Sequence, residues 1–313
     1  MRHGTVRWFL LPFNGAENMA SEVFWPLLFK NLLNGIVFGG LLSLTAVGLT
    51  LIFGVLDIPN FAQGEFAMIG GFLTIFFMKG LGFPLLQASA CAVVLVFFVG
   101  VLCERLCISP FYGRGWQFFV LSFFVSLGLA FFFEDLVKNL RPTLCEVIPC
   151  SLTRMIHFGF FQIGTIRFLA FLIPVIILLA LYVFSKKTLL GLAIQAVAQD
   201  TVGATLVGIN RSRIYTLTFG LGAALSGASG ILYGLIFGIY PTMGMELNSY
   251  GFTIVVLGGM GNFLGAILAS FLIGIIDSLT AMFIESNYKL MVIFVTLIII
   301  LIFKPSGLLK GKA

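Results

Sequence analysis

Two carboxylates and two side-chain amides occur within the segment DIPNFAQGE at 57–65, which lies between two strongly apolar runs. Asn60 and Gln63 each offer hydrogen-bond donors and an acceptor without carrying charge. Pro59 and Gly64 interrupt a helix, and the break frees backbone groups from their helical partners. Such groups can bind a polar solute transiently beside apolar walls. They can equally serve only to shape a turn and a helix interface.

The composition indicates that this segment lies within a membrane protein. The chain has 313 residues, of which 60% are hydrophobic and 10% charged, and its mean hydropathy is +1.12. Soluble domains are closer to a quarter charged, so these values are typical of an integral membrane protein. The apolar runs do not alternate in polarity, which argues against a β-barrel and favours helices.

The fold class predicted is all-α, a polytopic integral membrane helix bundle of about eight to nine spans, including broken or half-length helices. A span requires about 20 mostly apolar residues. The region 250–278 is too long for one span and short for two, and its centre GGMGNFLG is glycine-rich, so we expect two helices separated by a break there. The other candidate spans are 32–56, 61–78, 83–107, 117–137, 166–184, 214–238 and 288–303.

Clusters of basic residues orient the bundle. Under the positive-inside rule, the cations at 186–187, at 211–213 and at 304–312 predict cytoplasmic loops. The stretch 186–213 could pass for a weak span, but Asp200 near its centre would cost about 2.5–3.5 kcal/mol to insert. Both its ends also carry cations, so we expect it to remain on the cytoplasmic face.

Small and apolar residues recur at helical spacing in this cytoplasmic segment. One interpretation is an amphipathic helix that lies in the membrane interface and contacts only lipid. The small residues favour the other interpretation, in which the helix contacts a protein. We therefore predict that it docks a cytoplasmic partner. The residues assigned to this coupling are Gln195, Ala198, Gln199, Asp200, Gly203 and Gly208.

The chain resembles the permease subunits of branched-chain amino acid ABC transporters. Their cytoplasmic coupling segment is similar to GLAIQAVAQDTVGATLVGINRSR, and the INFAHGE-type motif after their first helix is similar to DIPNFAQGEFAMIGG. Further along, the family order continues through LTFGLGAALSGASGILYGLI, VVLGGMGNFLGAILASFLIGI and FKPSGLLKG. The resemblance covers essentially 32–310 and fits the smaller of the two permease subunits better than the larger.

This resemblance implies an ATP-driven importer of branched-chain or related small amino acids in the bacterial inner membrane. The implied partners are a second permease subunit, two ATP-binding cassette subunits, an extracytoplasmic binding protein and the lipid bilayer.

Two departures from the family motif bear on which ligand is bound. Gln63 stands where the family usually has histidine, which removes any protonation role. Asp57 and Pro59 stand where glycine and an aliphatic residue are expected.

A path for a zwitterionic amino acid needs polar groups that bind weakly. We assign it to the segment 57–65, with Asn60 and Gln63 turned inward, and to the glycine-rich break of the second half. Helix packing and turn geometry explain the same residues equally well. The predicted path residues are Asp57, Asn60, Gln63, Glu65, Gly258, Gly259 and Asn262.

Several classes of function are disfavoured or kept as alternatives. The sequence lacks G-x-x-x-x-G-K-[ST], so ATP is expected on partner subunits, and no cofactor, metal or nucleic acid is expected on this chain. With two histidines, no catalytic triad can be assembled, so an enzyme is not expected. The alternatives are a permease for urea or short amides, and a stand-alone ion-coupled carrier. The latter would need carboxylates at mid-membrane, yet most acidic residues fall near predicted helix ends, where water reaches them.

The chain is divided into an N-terminal extension at 1–30, with Met19 as a plausible start, and a single transmembrane permease domain at 31–310. The coupling segment 186–213 lies within that domain. Cys145 and Cys150 lie in the polar loop sequence CEVIPC, and a disulfide is possible there if the loop faces an oxidising compartment. The sequence LIFG recurs at 51–54 and 235–238, followed each time by a proline, which is a hint of an inverted repeat.

Overall fold

A computed structural model describes residues 13–113, 116–140, 145–149, 155–158 and 161–309. Side chains are described in the same ranges except 13–23, 155–158 and 161–163. The prediction of a polytopic helix bundle is confirmed. Seven of the described helices are long and apolar enough to cross a membrane.

The long helices have these bounds: α1 Phe13–Leu56, α2 Gln63–Gly80, α3 Leu85–Cys103, α4 Trp116–Leu140, α5 Thr165–Lys187, α8 Arg211–Ile236, α9 Met243–Gly258, α10 Phe263–Phe283 and α11 Lys289–Phe303. The segment between α5 and α8 forms two short helices, α6 Leu189–Gln199 and α7 Thr201–Leu206. Every predicted span therefore corresponds to a helix, and the region 250–278 is divided between α9 and α10.

Two features were not predicted. α1 has 44 residues and continues N-terminally to Phe13, so the predicted boundary at 30/31 falls inside a helix. A small antiparallel hairpin, β1 Met155–Phe158 and β2 Phe161–Gly164, precedes α5 and pairs Met155 with Gly164. Its strands are too short to have given a recognisable alternating pattern.

Glycines allow the central helices to pack closely. α1 and α10 run antiparallel, with Gly35 against Gly274 and Gly39 against Ser270 and Phe271, where a Cβ would meet backbone atoms. α1 and α8 are also antiparallel, since Gly48 contacts Gly222 while the Ser229 hydroxyl donates to the Leu41 carbonyl at 2.7 Å. Small residues at such contacts are typical of membrane helices, for which apolar surface alone gives little driving force.

The bundle has two ends, which we name by residues. The Lys186 end contains the C-terminal ends of α1, α5 and α9, together with α6 and α7. The Asp277 end contains the C-terminal ends of α2, α4, α8 and α10. Asn34 of α1 lies near the Asp277 end and Leu51 near the Lys186 end, which at 1.5 Å per residue places them about 26 Å apart.

Candidate functional site

The segment DIPNFAQGE turns the chain back into the bundle. α1 ends at Leu56, and Asp57 adopts a left-handed conformation with φ of 55° and is exposed. α2 begins at Gln63, whose side chain touches Gly48, eight residues before the end of α1. The chain thus re-enters the bundle before α2 begins. The predicted helix break is present.

The two amides of this segment bind protein groups rather than line a cavity. Asn60 donates to the Gln63 side-chain oxygen at 3.1 Å and accepts from the Ala62 backbone N–H at 3.2 Å. The Gln63 amide donates to the Gly222 carbonyl of α8 at 2.9 Å. Both side chains are fully buried. Their inward orientation is as expected, and these contacts support the architectural alternative; a role in the path stays a prediction.

Two residues that sequence reasoning missed, on the helices α4 and α9, hydrogen-bond to the backbone of the segment 57–65. The Ser126 hydroxyl of α4 accepts from the Phe61 N–H at 3.2 Å and lies 3.3 Å from the Pro59 carbonyl. The Asn248 amide of α9 donates to the Phe61 carbonyl at 2.9 Å. An asparagine in an apolar helix was the available signal, because such a group needs a partner in a membrane. The backbone of this segment is therefore hydrogen-bonded to both α4 and α9.

α2 and α9 both begin inside the bundle and meet there. α2 has 18 residues and α9 has 16, fewer than the roughly 20 needed for a full span. A Cβ on Gly64 would overlap the Gly244 carbonyl, and a Cβ on Gly244 would overlap the Glu65 carboxylate. The junction of these two helices is thus built on a pair of glycines.

Glu65 lies at this junction in the first turn of α2, where a carboxylate suits the helix dipole. It also sits against the first turn of α9 through Gly244. Its side chain is 1% exposed, and its Oε2 atom has no hydrogen-bond partner among the described residues. A carboxylate buried in this way is costly, which marks Glu65 as a residue whose role exceeds that of a surface cap.

The second predicted break lies at the Lys186 end. Gly258 ends α9 in backbone contact with Gly265, and Gly259 takes a φ of 97° that favours glycine. Asn262 caps α10 by accepting from the Gly265 N–H at 2.9 Å. The C-terminal segment covers this break, since the Leu308 N–H donates to the Leu257 carbonyl at 2.7 Å.

A cavity of about 470 Å³ joins this break to the predicted coupling segment; we call it the α6 cavity. The start of α10, with Asn262 before it, and α6 both line this cavity. The ends of α1 and α5 complete it. Of the residues predicted for coupling, Gln195, Ala198 and Gln199 line this cavity. Residues predicted for the substrate path and residues predicted for coupling, which are distant in sequence, therefore line the same cavity.

Hydrogen bonds fix the shape of the coupling segment. The Gln195 amide donates to the Ser185 carbonyl at 2.8 Å and so ties α6 to α5. Asp200 caps α7 by accepting from the Val202 N–H at 2.9 Å, and a Cβ on Gly203 would lie 2.5 Å from the Asp200 carboxylate. Beyond α7, Gly208 adopts a φ of 88°. Asp200, Gly203 and Gly208 thus have structural roles; a role in coupling stays a prediction.

The tip of this segment is apolar and exposed. Leu206 is 83% exposed and Val207 77%, and Val202 on the same short helix is also exposed. Cations flank the segment, with Lys186 and Lys187 before α6 and Arg211 at the start of α8. An exposed apolar tip on a helix fixed by caps is the geometry of a contact surface.

The family model described as "Branched-chain amino acid transport system / permease component" matches residues 31–301 of this chain. The chain belongs to this family. The resemblance seen in the sequence motifs is thereby confirmed, and the enzyme class is disfavoured because the family is one of transport permeases.

Two curated relatives illustrate the similarity. BraD of Pseudomonas aeruginosa, a high-affinity branched-chain amino acid transport system permease protein, is 31% identical over 294 residues, covering 90% of this chain and 95% of BraD. LivH of Escherichia coli K12, with the same description, is 29% identical over 303 residues, covering 92% of this chain and 97% of LivH. The similarity therefore extends over nearly the whole length of both relatives.

A solved structure shares the fold. PsaBC from Streptococcus pneumoniae in complex with Fab contains a chain that matches with a TM-score of 0.51 and 12% identity, covering 94% of this chain and 97% of that one. At this identity the similarity concerns the arrangement of helices alone.

The acidic residues are more deeply buried than the sequence indicated. Water was expected to reach most of them, yet Glu65, Glu104, Glu134 and Asp277 are all buried. Glu104 accepts from Tyr112 and from Thr216, Glu134 pairs with Lys138, and Asp277 accepts from Tyr250. Two of these partners, Thr216 and Tyr250, lie on other helices 112 and 27 positions away, so the sequence does not reveal them. Of these four carboxylates, Glu65 alone has a buried oxygen without a described partner.

The predicted disulfide cannot be followed through the fold, because Cys150 lies outside the described residues. Cys145 is exposed and lies beside Gly238, next to the backbone pairing of Glu146 with Ile239. This pairing holds the loop at 145–149 against the connection between α8 and α9. The pairing of the two cysteines stays a prediction.

Gln63 offers a first test of the loop in this permease family member. We expect Gln63→Leu to lower stability by about 1–3 kcal/mol, because the buried Asn60 amide loses its acceptor. Gln63→His restores a ring nitrogen that can accept from Asn60 and a ring N–H that can donate to Gly222, so it should recover most of that loss. The measurement is the thermal unfolding temperature of the purified protein, with Gln87→Leu, an exposed position on α3, as the control. An unchanged unfolding temperature in Gln63→Leu would contradict the structural role of this amide.

Proposed function

We propose that the chain is the transmembrane permease subunit of an ATP-driven importer for branched-chain or related small amino acids. Family membership supports the permease class, and the printed descriptions of BraD and LivH support the substrate class. The single observation that carries the coupling mechanism is the α6 cavity, because α6 forms one of its walls. A movement of α6 would change the width of this space.

In this mechanism the exposed tip at Val202, Leu206 and Val207 docks on an ATP-binding subunit. ATP binding and hydrolysis move the docked α7, the cap at Asp200 passes the motion to α6, and Gln195 passes it to α5. The Lys186 end of the bundle then opens or closes, while the junction of α2 and α9 governs access from the Asp277 end. Alternating access follows from the two ends opening in turn.

The proposed partners are two ATP-binding subunits, a second permease subunit and an extracytoplasmic binding protein. ATP would be bound by the ATP-binding subunits, since this chain carries no phosphate-binding glycine loop. We place the complex in the bacterial inner membrane with the Lys186 end in the cytoplasm. The charge distribution supports this, because the described ion pairs all lie near the Asp277 end, whereas the flanking cations of α6 form none of them.

One observation favours a second candidate, a stand-alone ion-coupled carrier. Glu65 is a buried carboxylate with an unpartnered oxygen at a junction of short helices, which is a feature of proton- and sodium-coupled carriers. A permease for urea or short amides is the alternative within the ATP-driven class, since the neutral amides that line the α6 cavity, those of Gln195, Gln199 and Asn262, suit both kinds of solute.

Purification from native membranes tests the proposal. A tag on this chain should recover ATP-hydrolysing subunits and a second permease in stoichiometric amounts. Vesicles that contain the recovered complex and its binding protein should take up labelled leucine faster than labelled urea. Recovery of the chain alone, with ion-driven uptake, would support the carrier and contradict the ATP-driven assignment.

A further inference from the structure

A second pocket lies at the Asp277 end, about 26 Å along α1 from the α6 cavity. We call it the Asp277 pocket. Its volume is about 180 Å³, and it is surrounded by the middle of α1, the starts of α5 and α11, and the C-terminal parts of α8 and α10. Pockets for drug-sized ligands are about 300–1,000 Å³, so this one suits a smaller solute.

The Asp277 pocket contains groups of both charges. Asp277 is buried and accepts from the Tyr250 hydroxyl on Oδ1 at 2.6 Å and from the Lys289 ammonium on Oδ2 at 2.9 Å. A carboxylate accepts about four hydrogen bonds, so acceptor capacity remains. An ionisable residue buried in a membrane helix and facing a cavity marks a solute path more often than a packing site.

The guanidinium-bearing Arg167 also lines this pocket. It donates to the Asn34 side-chain oxygen at 2.9 Å, and it takes part in none of the ion pairs described. Arginine has five N–H donors, which match a carboxylate in bidentate fashion. This guanidinium therefore retains donors and a charge for an anionic group that enters the pocket.

The remaining wall is apolar. Phe38, Ile236 and Phe237 line the pocket, and Phe38 packs edge-on against the rings of Phe237 and Tyr250. A small solute that matches Arg167, Asp277 and the apolar wall carries a carboxylate, an ammonium group and a short aliphatic chain. An aliphatic amino acid zwitterion has this chemistry.

We propose that the Asp277 pocket is a reception site where the permease first binds the zwitterion of an aliphatic amino acid. The carboxylate binds Arg167, the ammonium group binds Asp277, and the side chain lies on Phe38 and Ile236. This inference rests on the proposed function and adds a site apart from the segment 57–65. Specific binding at this pocket would precede passage through the junction of α2 and α9.

The test is a binding measurement on the purified complex in nanodiscs, without binding protein, using tritiated L-leucine. Wild type should bind leucine, and Arg167→Gln should weaken binding by about tenfold or more, as expected for a lost charged hydrogen bond. Lys138→Gln is the matched control, because it removes a cation at the same end but outside the pocket. It should change binding by less than about twofold, because Lys138 pairs with Glu134 and Asp135 of its own helix and does not line the pocket.

Competitors test the zwitterion requirement. 4-Methylpentanoate lacks the ammonium group and 3-methylbutylamine lacks the carboxylate, so each should compete at least about tenfold more weakly than leucine. The proposal is overturned if wild type binds no leucine, if Arg167→Gln binds leucine as wild type does, or if either competitor competes as well as leucine does.

ATP-driven leucine uptake by the same complex tests the proposed function separately. Uptake without binding at this pocket rejects the site alone, whereas binding without ATP-driven uptake rejects the importer.

Discussion

Gly64→Ala should strongly destabilise the bundle and abolish transport. A Cβ at this position would overlap the Gly244 carbonyl and lie 2.8 Å from the Asn248 backbone nitrogen. Both are backbone atoms of α9, so the helix itself must move. Overpacking of this kind costs about 1–3 kcal/mol and occasionally more. The measurement is the thermal unfolding temperature of the complex together with leucine uptake in vesicles.

Two further variants test whether the effect of Gly64→Ala is specific to the junction of α2 and α9. Gly251→Ala, in the same helix α9, adds a methyl group 3.5 Å from Thr45, which is an ordinary contact, so it should behave as wild type. Gly244→Ala meets the end of the Glu65 side chain, which can rotate, so its effect should be intermediate. Wild-type stability and uptake in Gly64→Ala would mean that α2 and α9 do not meet as described.

Leu206→Asp combined with Val207→Asp should abolish uptake while leaving the folded protein in the membrane. Both side chains are largely exposed, and surface substitutions generally change stability by less than about 0.5 kcal/mol. If the tip docks on a partner, however, two carboxylates must be desolvated at the contact, which costs several kcal/mol. Uptake should fall by more than about tenfold, and ATP hydrolysis should lose its dependence on binding protein and substrate.

Leu140→Asp is the control for this variant. Leu140 is 69% exposed at the opposite end of the bundle, so the same chemical change there should leave coupling intact. Copurification of the ATP-binding subunits reports whether docking itself is lost. Normal uptake in the Leu206 and Val207 variant would remove the docking role from α7.

Much of the fold follows from local sequence signals. The apolar runs predict the long helices, and Asp200 with its flanking cations predicts that 186–213 does not cross. Pro59 and the glycines of GGMGN predict the two breaks, because both residue types interrupt helices within a few positions. The start of α1 was missed, because Pro12 and Asn14 interrupt the short N-terminal apolar run.

The candidate site depends on contacts that sequence spacing does not reveal. Gln63 binds the Gly222 carbonyl, 159 positions away, and Asn248 binds the Phe61 carbonyl, 187 positions away. The buried state of Asp277 depends in part on Lys289, which belongs to the next helix. A single sequence identifies polar residues in apolar surroundings, but their partners are set by how the helices pack. For that reason the sequence predicted the residues of the break and not their hydrogen bonds.

ATP dependence of uptake is the most direct test of the central claim. The complete complex is reconstituted in vesicles with binding protein outside, and labelled leucine uptake and ATP hydrolysis are followed together. We expect uptake only with ATP on the side of the Lys186 end, insensitive to ionophores that dissipate proton and sodium gradients. Uptake by this chain alone, driven by an ion gradient and unaffected by ATP, would contradict the assignment as an ATP-driven permease subunit.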